Sequence, residues 1–572
     1  MAEQALQSGD KPVEKFLRWL ALRPGLTLAV VVLAVLGSFV TKPFNMDDPL
    51  FLWTARQIQA HPTNPYGFDV NWYGTTRPMW EVTKNPPLAA YYLALAAATL
   101  GWSESALHFA FLLPALAAIL GTYRLARHFC NQPMFAACAT LFTPVFLVSS
   151  TTLMCDTMML AFWVWAVALW VEGMERNDFW RLVASAVLIM LASLTKYFGA
   201  CLLPLLAAYS LIGQRRVGRW AGCFLVPIIA LAAYQWATGA LYGKGLLSDA
   251  GDYVATVHGS SGFSGADAGL TAFVFTGGCL ALATFLAPWL WRACVLAVLA
   301  VLAVLVASAV FIGGTMLEQY GAFKGASVGL VEVQIVFWVA GGMSVLALAM
   351  EDVWHRRDAP SCLLALWVLG TFLFAAFFNW IVTARSILPM APAVGILLAR
   401  RLEAKGLLGK KIRQGDMLTG FAIGAVLALL VARADFHFAT AVRQSAEVTQ
   451  ARYGQEATTL WFEGHWGFQY YMEELGAKAV VAKLSEPQPG DFLVIPLNNS
   501  NMSPPNSKQA HPWKALLFQG PRYLTTNSKE VGAGFYASAW GPLPFAFGQV
   551  PPETVLVYVL GPSPPTSSAD QP

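Results

Sequence analysis

The amino-acid sequence predicts a polytopic α-helical membrane protein that carries a small α/β domain after its last span. Three observations lead there. Hydrophobic residues make up 56% of the 572 and charged residues only 12%, against about a quarter charged in soluble domains. The apolar residues gather in runs of roughly 16 to 24 between short polar breaks, the length an α-helix needs to cross ~30 Å of hydrocarbon. Beyond residue 435 those runs give way to short β-like stretches separated by turn residues. The alternating ten-residue strands of a transmembrane barrel are absent.

Taken in order, the apolar runs fall at 24–40, 105–127, 133–150, 152–172, 180–195, 197–213, 218–238, 269–290, 293–313, 330–350, 360–381, 385–400 and 416–434, about thirteen spans. The first follows basic residues but reaches spanning length and lacks a small-x-small cleavage site, so it reads as a retained span and not a removed signal peptide. Residues 41–104 form a long first loop. In it PLFLWTARQI has the pattern of an amphipathic helix at the bilayer surface, and Pro87 to Gly101 is apolar but short, as suits an interfacial or re-entrant helix. The sequence therefore divides at residue 434 into a transmembrane part, 1–434, and a soluble domain, 435–572. In the latter AVVAKL, DFLVIP and TVLVYVL read as strands, FQYYMEELG reads as a helix, and GPSPPTSSADQP reads as a disordered tail.

Lysine and arginine collect in alternate short loops: Lys11, Lys15, Arg18 and Arg23; Arg124 and Arg127; Arg176 and Arg181; Arg215, Arg216 and Arg219; Arg356 and Arg357; and Arg400 to Arg413. By the positive-inside rule these loops and the N-terminus are cytoplasmic. The long first loop, the loops 239–268 and 314–329 and the C-terminal domain then share the outer face. The net charge of +4 is dispersed, with no nucleic-acid signature and no nucleotide-binding glycine motif. All eight cysteines lie at or before residue 362, in or beside apolar runs, which points to helix packing and not to a disulfide framework.

The residues with chemistry to offer cluster on the outer face. Asp47 and Asp48 open the first loop in FNMDDPLFLW. Asp48-Pro49 reads as a helix start, but one cap does not explain a second adjacent carboxylate. Mutual repulsion would raise the pKa of one of the pair. Asp156 interrupts an apolar run in LMCDTMMLAFW, where an ionisable group needs a partner or a wet cavity. Three cations join them: Lys84 in EVTKNPPL, Lys196 in LTKYFG and Arg385 in TARSILP, a set suited to holding a phosphate. Arg56, Glu81 and Tyr73 come from the same aromatic first loop, and Tyr197 follows Lys196; aromatic faces and polar groups at this density suit a sugar. Glu81, His258 and His465 are candidate ligands for a divalent cation, without any supporting spacing signature. In the tail, Trp461, Glu463, His465 and Trp466 crowd TLWFEGHWGFQYY, a candidate acceptor-binding or lid element.

In this order MDDPLFLWTARQI, KNPPLAAYY, LMCDTMMLAFW, LTKYFG and RSILPMAP resemble the GT-C type integral-membrane glycosyltransferases. The branch is that of the protein O-mannosyltransferases and lipid A aminoarabinose transferases, often grouped as family 39. The resemblance covers roughly residues 20–400. It implies a sugar donor on a polyprenyl phosphate and a lipid, glycan or protein acceptor. It further implies a multi-pass place in the bacterial inner membrane with a periplasmic C-terminal domain, and a part in making cell-envelope glycan. It places the catalytic carboxylate on Asp47 or Asp48, a second important acid on Asp156, and phosphate-binding cations on Lys84, Lys196 and Arg385. Two departures stand out: Asn85 separates Lys84 from Pro86-Pro87, and Asp-Asp stands where many relatives have Asp-Glu. The alternatives are a transporter or flippase of lipid-linked sugars, and a glycan polymerase or ligase in the same fold.

Overall fold

A computed structural model describes residues 23–260, 265–312, 328–408, 414–455, 459–482, 484–485, 487–503 and 510–561. The basic N-terminal set up to Arg18, the residues Lys410, Lys411 and Arg413, and most of the tail read as disordered lie outside the described residues. The side chain of His258 does too.

Each of the thirteen apolar runs is helical over most of its described residues, and they differ in length and straightness. Among the described residues, seven helices have at least 18 residues and enough apolar character to cross a bilayer, including Glu104–Phe129, Asp156–Arg176, Val328–Arg356 and Gly415–Tyr453. Gly265–Cys279 and Ala281–Leu290 make a broken pair bent by 82°, which brings the number to eight if counted as one span. Others are shorter, such as Pro24–Gly37 and Phe179–Thr195, or interrupted. The run 133–150 is split at Phe142, where Thr143 caps a new helix that begins with Pro144. Composition alone counted apolar runs; proline and capping residues decide which of them stay straight.

Ion pairs mark two opposite ends of the bundle. Helix Glu104–Phe129 starts at Glu104, bound to Arg443 at 2.6 Å, and ends near Arg124, which forks onto Glu172 at 2.6 and 2.7 Å. Helix Asp156–Arg176 runs parallel to the same division, with Asp156 at its first residue and Glu172 in its last turns, roughly 24 Å apart at 1.5 Å per residue. The Glu172 end also gathers His128, Glu175 and Arg181. The first long loop and the C-terminal domain both lie at the Asp156 end.

The last apolar run continues as one 40-residue helix, Gln414–Tyr453, so the change of composition at 435 falls inside a continuous rod about 60 Å long. Beyond it a five-stranded mixed sheet has the order Lys478–Ala479, Leu460–Phe462, Phe492–Pro496, Glu553–Leu560, Ala510–Phe518. The first three strands are parallel; Glu553–Leu560 pairs antiparallel to both its neighbours. The expected strands DFLVIP and TVLVYVL are there, and FQYYMEELG lies in helix Trp466–Glu474. Strand Ala510–Phe518 contains Pro512, which disguises it in the sequence; it sits on the sheet edge beside a register irregularity at Val557/Tyr558, where a missing N–H is tolerated.

Close packing seats this domain on the first loop. A Cβ on Gly467 would meet the Phe44 carbonyl oxygen at 2.4 Å, so only glycine allows helix Trp466–Glu474 to approach so closely. The Phe44 amide donates to the Tyr471 hydroxyl at 2.8 Å. Beneath it a fully buried pair joins Lys42 Nζ to Asp435 at 2.5 Å. Thr526 and Tyr536 of the C-terminal domain donate their hydroxyls to the same carboxylate. Four groups thus satisfy one another away from water, as buried charges require.

Candidate functional site

The turn Asn45 to Asp48 sets the first acidic pair. Met46 holds a left-handed φ of 50°, uncommon for a non-glycine residue, and the turn closes with the Asp48 amide donating to the Asn45 carbonyl. Asp48 begins helix Asp48–Ala60, Pro49 follows it, and Asp47 stands at the cap position without making a side-chain cap. The two carboxylates have separate surroundings. Asp48 is fully buried and accepts the Asn45 amide at 3.0 Å and the Leu153 amide at 2.8 Å. Burial pushes its carboxyl up to about 6, against the pull of Lys42 and the two amides; repulsion from Asp47 adds least of the contributions. The expectation that mutual repulsion drives the shift is therefore corrected, since burial drives it.

Asp47 is part-exposed and pairs with Arg385 Nη1 at 2.9 Å. Arg385 sits on a short helix, Ala384–Ile387, whose cap Thr383 accepts from the Ser386 amide. The backbone there is tied to the C-terminal domain by the Ala384 amide on the Phe535 carbonyl at 2.9 Å. Asp156 is the first residue of its span, 1% exposed, with Oδ1 2.5 Å from Lys196 Nζ and Oδ2 lacking any hydrogen-bond partner. Lys196 leaves the end of helix Phe179–Thr195 just before a tight turn, Tyr197–Cys201. Gly199 makes that turn possible, because a Cβ there would lie 2.4 Å from the backbone of Ala192. Arg385 feels the charges of both Asp47 and Asp156. Asp47, Arg385, Asp156 and Lys196 thus form one chain of alternating charge, drawn from four separate stretches of sequence.

Lys84 belongs to a neighbouring cluster. Its ammonium is 2.5 Å from Asp249 and lies over the Tyr253 ring at 5.3 Å. Lys244 meets the same Asp249 at 2.5 Å. Burial works to raise the Asp249 carboxyl, but the two lysines together hold it below its ordinary value. Tyr73 joins the clusters: it lies within the field of both Tyr253 and Asp47. Tyr197 meets the Tyr234 hydroxyl at 3.4 Å and feels Asp249. Trp80 stacks on Tyr242 at 6.2 Å, and the Tyr66 hydroxyl donates to the carbonyl of Asn85, next to Lys84.

The other candidates go elsewhere. Arg56 is occupied by Glu474 at 2.6 Å and seated over Trp102 at 5.2 Å. Glu81 lies half-buried on the short helix Met79–Val82. His465 is buried, its Nδ1 against Gln469 Oε1 at 2.8 Å and its ring 5.6 Å from Trp72. Trp461 donates to Asp491 and Glu463 accepts from the Ser503 amide. Among the described residues no group of three His, Cys, Asp or Glu side chains converges as a metal site would need. The acids at the centre already face Arg385 and Lys196. Among the described residues Glu81 and His465 therefore do not gather into a cation site, and the side chain of His258 lies outside them. Sequence reading missed Lys42, Asp435, Lys244, Asp249 and Tyr253. The run GKGLLSDAGDY carried a signal in its lysine followed by two acids at helical spacing.

Three solved structures resemble the chain over much of its length. ArnT from Cupriavidus metallidurans bound to undecaprenyl phosphate is 14% identical with a TM-score of 0.49, covering 84% of this chain and 93% of that one. The Archaeoglobus fulgidus oligosaccharyltransferase in its apo form is 13% identical with a TM-score of 0.48, over 81% and 65%. The arabinofuranosyltransferase AftD from Mycobacteria is 13% identical with a TM-score of 0.37, over 96% and 40%. A comparison with curated protein sequences finds no match. Over residues 84–236, which hold Lys84, Asp156 and Lys196, the chain matches the family model described as dolichyl-phosphate-mannose-protein mannosyltransferase, the group its motifs resemble.

Proposed function

We propose that this protein transfers a sugar from a polyprenyl-phosphate-linked donor to a hydroxyl or amine of a lipid, glycan or protein acceptor. The reaction takes place at the bundle end that carries the first long loop, the periplasmic side of a bacterial inner membrane. The observation that carries the reading is the chain Asp47, Arg385, Asp156, Lys196 at the ends of apolar helices, beside the aromatic cluster around Lys84.

The leaving group of such a donor is a lipid phosphate, which needs cations where negative charge grows. Arg385 and Lys196 supply them, with Lys84 and Lys244 close by; today each is neutralised by a carboxylate that a phosphate can replace. Asp47 is the accessible acid of the pair and acts as the general base, taking the acceptor proton as the new glycosidic bond forms. The bond from the anomeric carbon to the phosphate oxygen breaks with its electrons leaving on the phosphate, so attack from the opposite face inverts the centre. Asp48, with both oxygens committed to backbone amides, positions Asp47 and does not touch substrate.

Proteoliposomes supplied with a radiolabelled polyprenyl-phosphate sugar and an extract of envelope acceptors test this. The wild type should attach label through a glycosidic bond, and Asp47→Asn should lose on the order of 10²-fold, the scale of general-base catalysis. Label that crosses the bilayer without forming a bond would identify a transporter and overturn the proposal.

A further inference from the structure

A cleft of about 390 Å³ opens where helix Asp48–Ala60 meets strand Asp69–Asn71 and the end of helix Trp466–Glu474. Its size falls within the ~300–1,000 Å³ of small-ligand sites. Trp53, Arg56, Gln57, Asp69, Asn71 and Glu473 line it, and none of the acids or cations of the charged chain does.

The lining is held in place. Trp53 meets Trp72 edge-on, with centroids 6.1 Å apart at 84°. Gln469 Nε2 donates both to the Asn71 carbonyl and to Glu473 Oε1, each at 2.8 Å. Asn71 Nδ2 donates to the Val480 carbonyl at 2.9 Å, which leaves Asn71 Oδ1 with no partner. Gln57 spends its amide hydrogens on the carbonyls of Asn64 and Gly67, which leaves its oxygen as acceptor. The Asn71 oxygen is itself buried, so the acceptors on the cleft are the carboxylates of Asp69 and Glu473 and the Gln57 amide oxygen, beside an indole. Arg56, paired with Glu474 at 2.6 Å, is the one cation on the lining against the two carboxylates of Asp69 and Glu473, so the cleft is net acidic and repels a phosphate or other anion. A ring of hydroxyl donors with an apolar C–H face fits this set.

We propose that this cleft is a saccharide subsite, taking a neutral or amino sugar unit of the acceptor between Trp53 and the carboxylates of Asp69 and Glu473. Its role in holding the acceptor rests on the transferase reading; binding of the sugar does not. Ligand-observed saturation-transfer NMR and calorimetry on the full chain in nanodiscs, with no donor present, separate the two. The probes are mannobiose, chitotriose and a glucosamine disaccharide. At least one should bind the wild type, with Trp53→Ala and Asp69→Asn each weakening it on the order of 10-fold and Glu530→Gln, an exposed position that does not line the cleft, leaving it unchanged. Asp69 is exposed, so its variant carries the test if Trp53→Ala lowers the melting temperature. No binding of any probe by the wild type, unchanged binding by the Asp69 variant, or an equal loss in Glu530→Gln overturns the proposal. Failure of glycosyl transfer with binding intact would instead remove the transferase reading alone.

Discussion

Removing Lys196 should leave Asp156 as a stranded charge. Its carboxylate is 1% exposed, its Oδ2 has no partner and its Oδ1 depends on Lys196 at 2.5 Å. At an effective dielectric near 20 that contact is worth a gross ~6–7 kcal/mol, much of it offset by the desolvation of both ions. Deleting one member of a buried pair typically costs ~3–5 kcal/mol because the other stays behind uncompensated. Lys196 is 24% exposed and Arg385 shares the field, so the lower end, about 3 kcal/mol, is expected for Lys196→Ala. Adding Asp156→Asn should return a good part of the loss by removing the stranded charge. A double-mutant cycle in detergent, read by denaturant midpoint, should therefore show coupling above about 1.5 kcal/mol. Additive single losses, or a Lys196→Ala midpoint equal to the wild type, would refute the buried-pair account.

Asp48 gives a pH prediction. Its carboxyl is raised from 3.8 to about 6 in the fold, so its contribution to stability is fully present below 3.8 and is lost as pH rises through about 6, at most ~3 kcal/mol. The difference in stability between wild type and Asp48→Asn, followed from pH 4 to 7, should fall with pH; parallel curves would contradict it. Lys42→Ala should destabilise by about 3–5 kcal/mol, since it strands Asp435 between helix Gln414–Tyr453 and the C-terminal domain. Limited proteolysis should then release that domain, and an unchanged digest would count against the role. Lys84→Ala should weaken donor use by about tenfold or more while leaving acceptor affinity alone, and Lys244→Ala should do so less; steady-state kinetics against each substrate would show it.

The span pattern was legible because burial in lipid writes itself as unbroken apolar length, as in Glu104–Phe129 and Asp156–Arg176. The acids and cations at the Asp156 end of the bundle were legible because charge is expensive beside such runs. The pairings were not. Nothing in the chain says that Arg385 meets Asp47 or that Lys196 meets Asp156, since those contacts depend on helix order and tilt. Lys42 was hidden for another reason: it borders an apolar run, where lysine usually snorkels, and only the fold places Asp435 against it. Arg56 looked available in the sequence, yet Glu474 occupies it, and Gln469 takes Nδ1 of His465, whose Nε2 is buried without a hydrogen-bond partner. Cells of charge and ring such as Lys84, Asp249 and Tyr253 combine loops some 165 residues apart, beyond the reach of local pattern.

The position of the donor phosphate tests the central claim most directly. Electron cryomicroscopy of the protein in nanodiscs with a polyprenyl phosphate should show phosphate density within hydrogen-bond reach of Arg385 or Lys196, with the Asp47–Arg385 contact opened and Lys84 turned from Asp249. Density at the Glu172 end of the bundle, or a bound lipid phosphate remote from all four cations, would contradict the account.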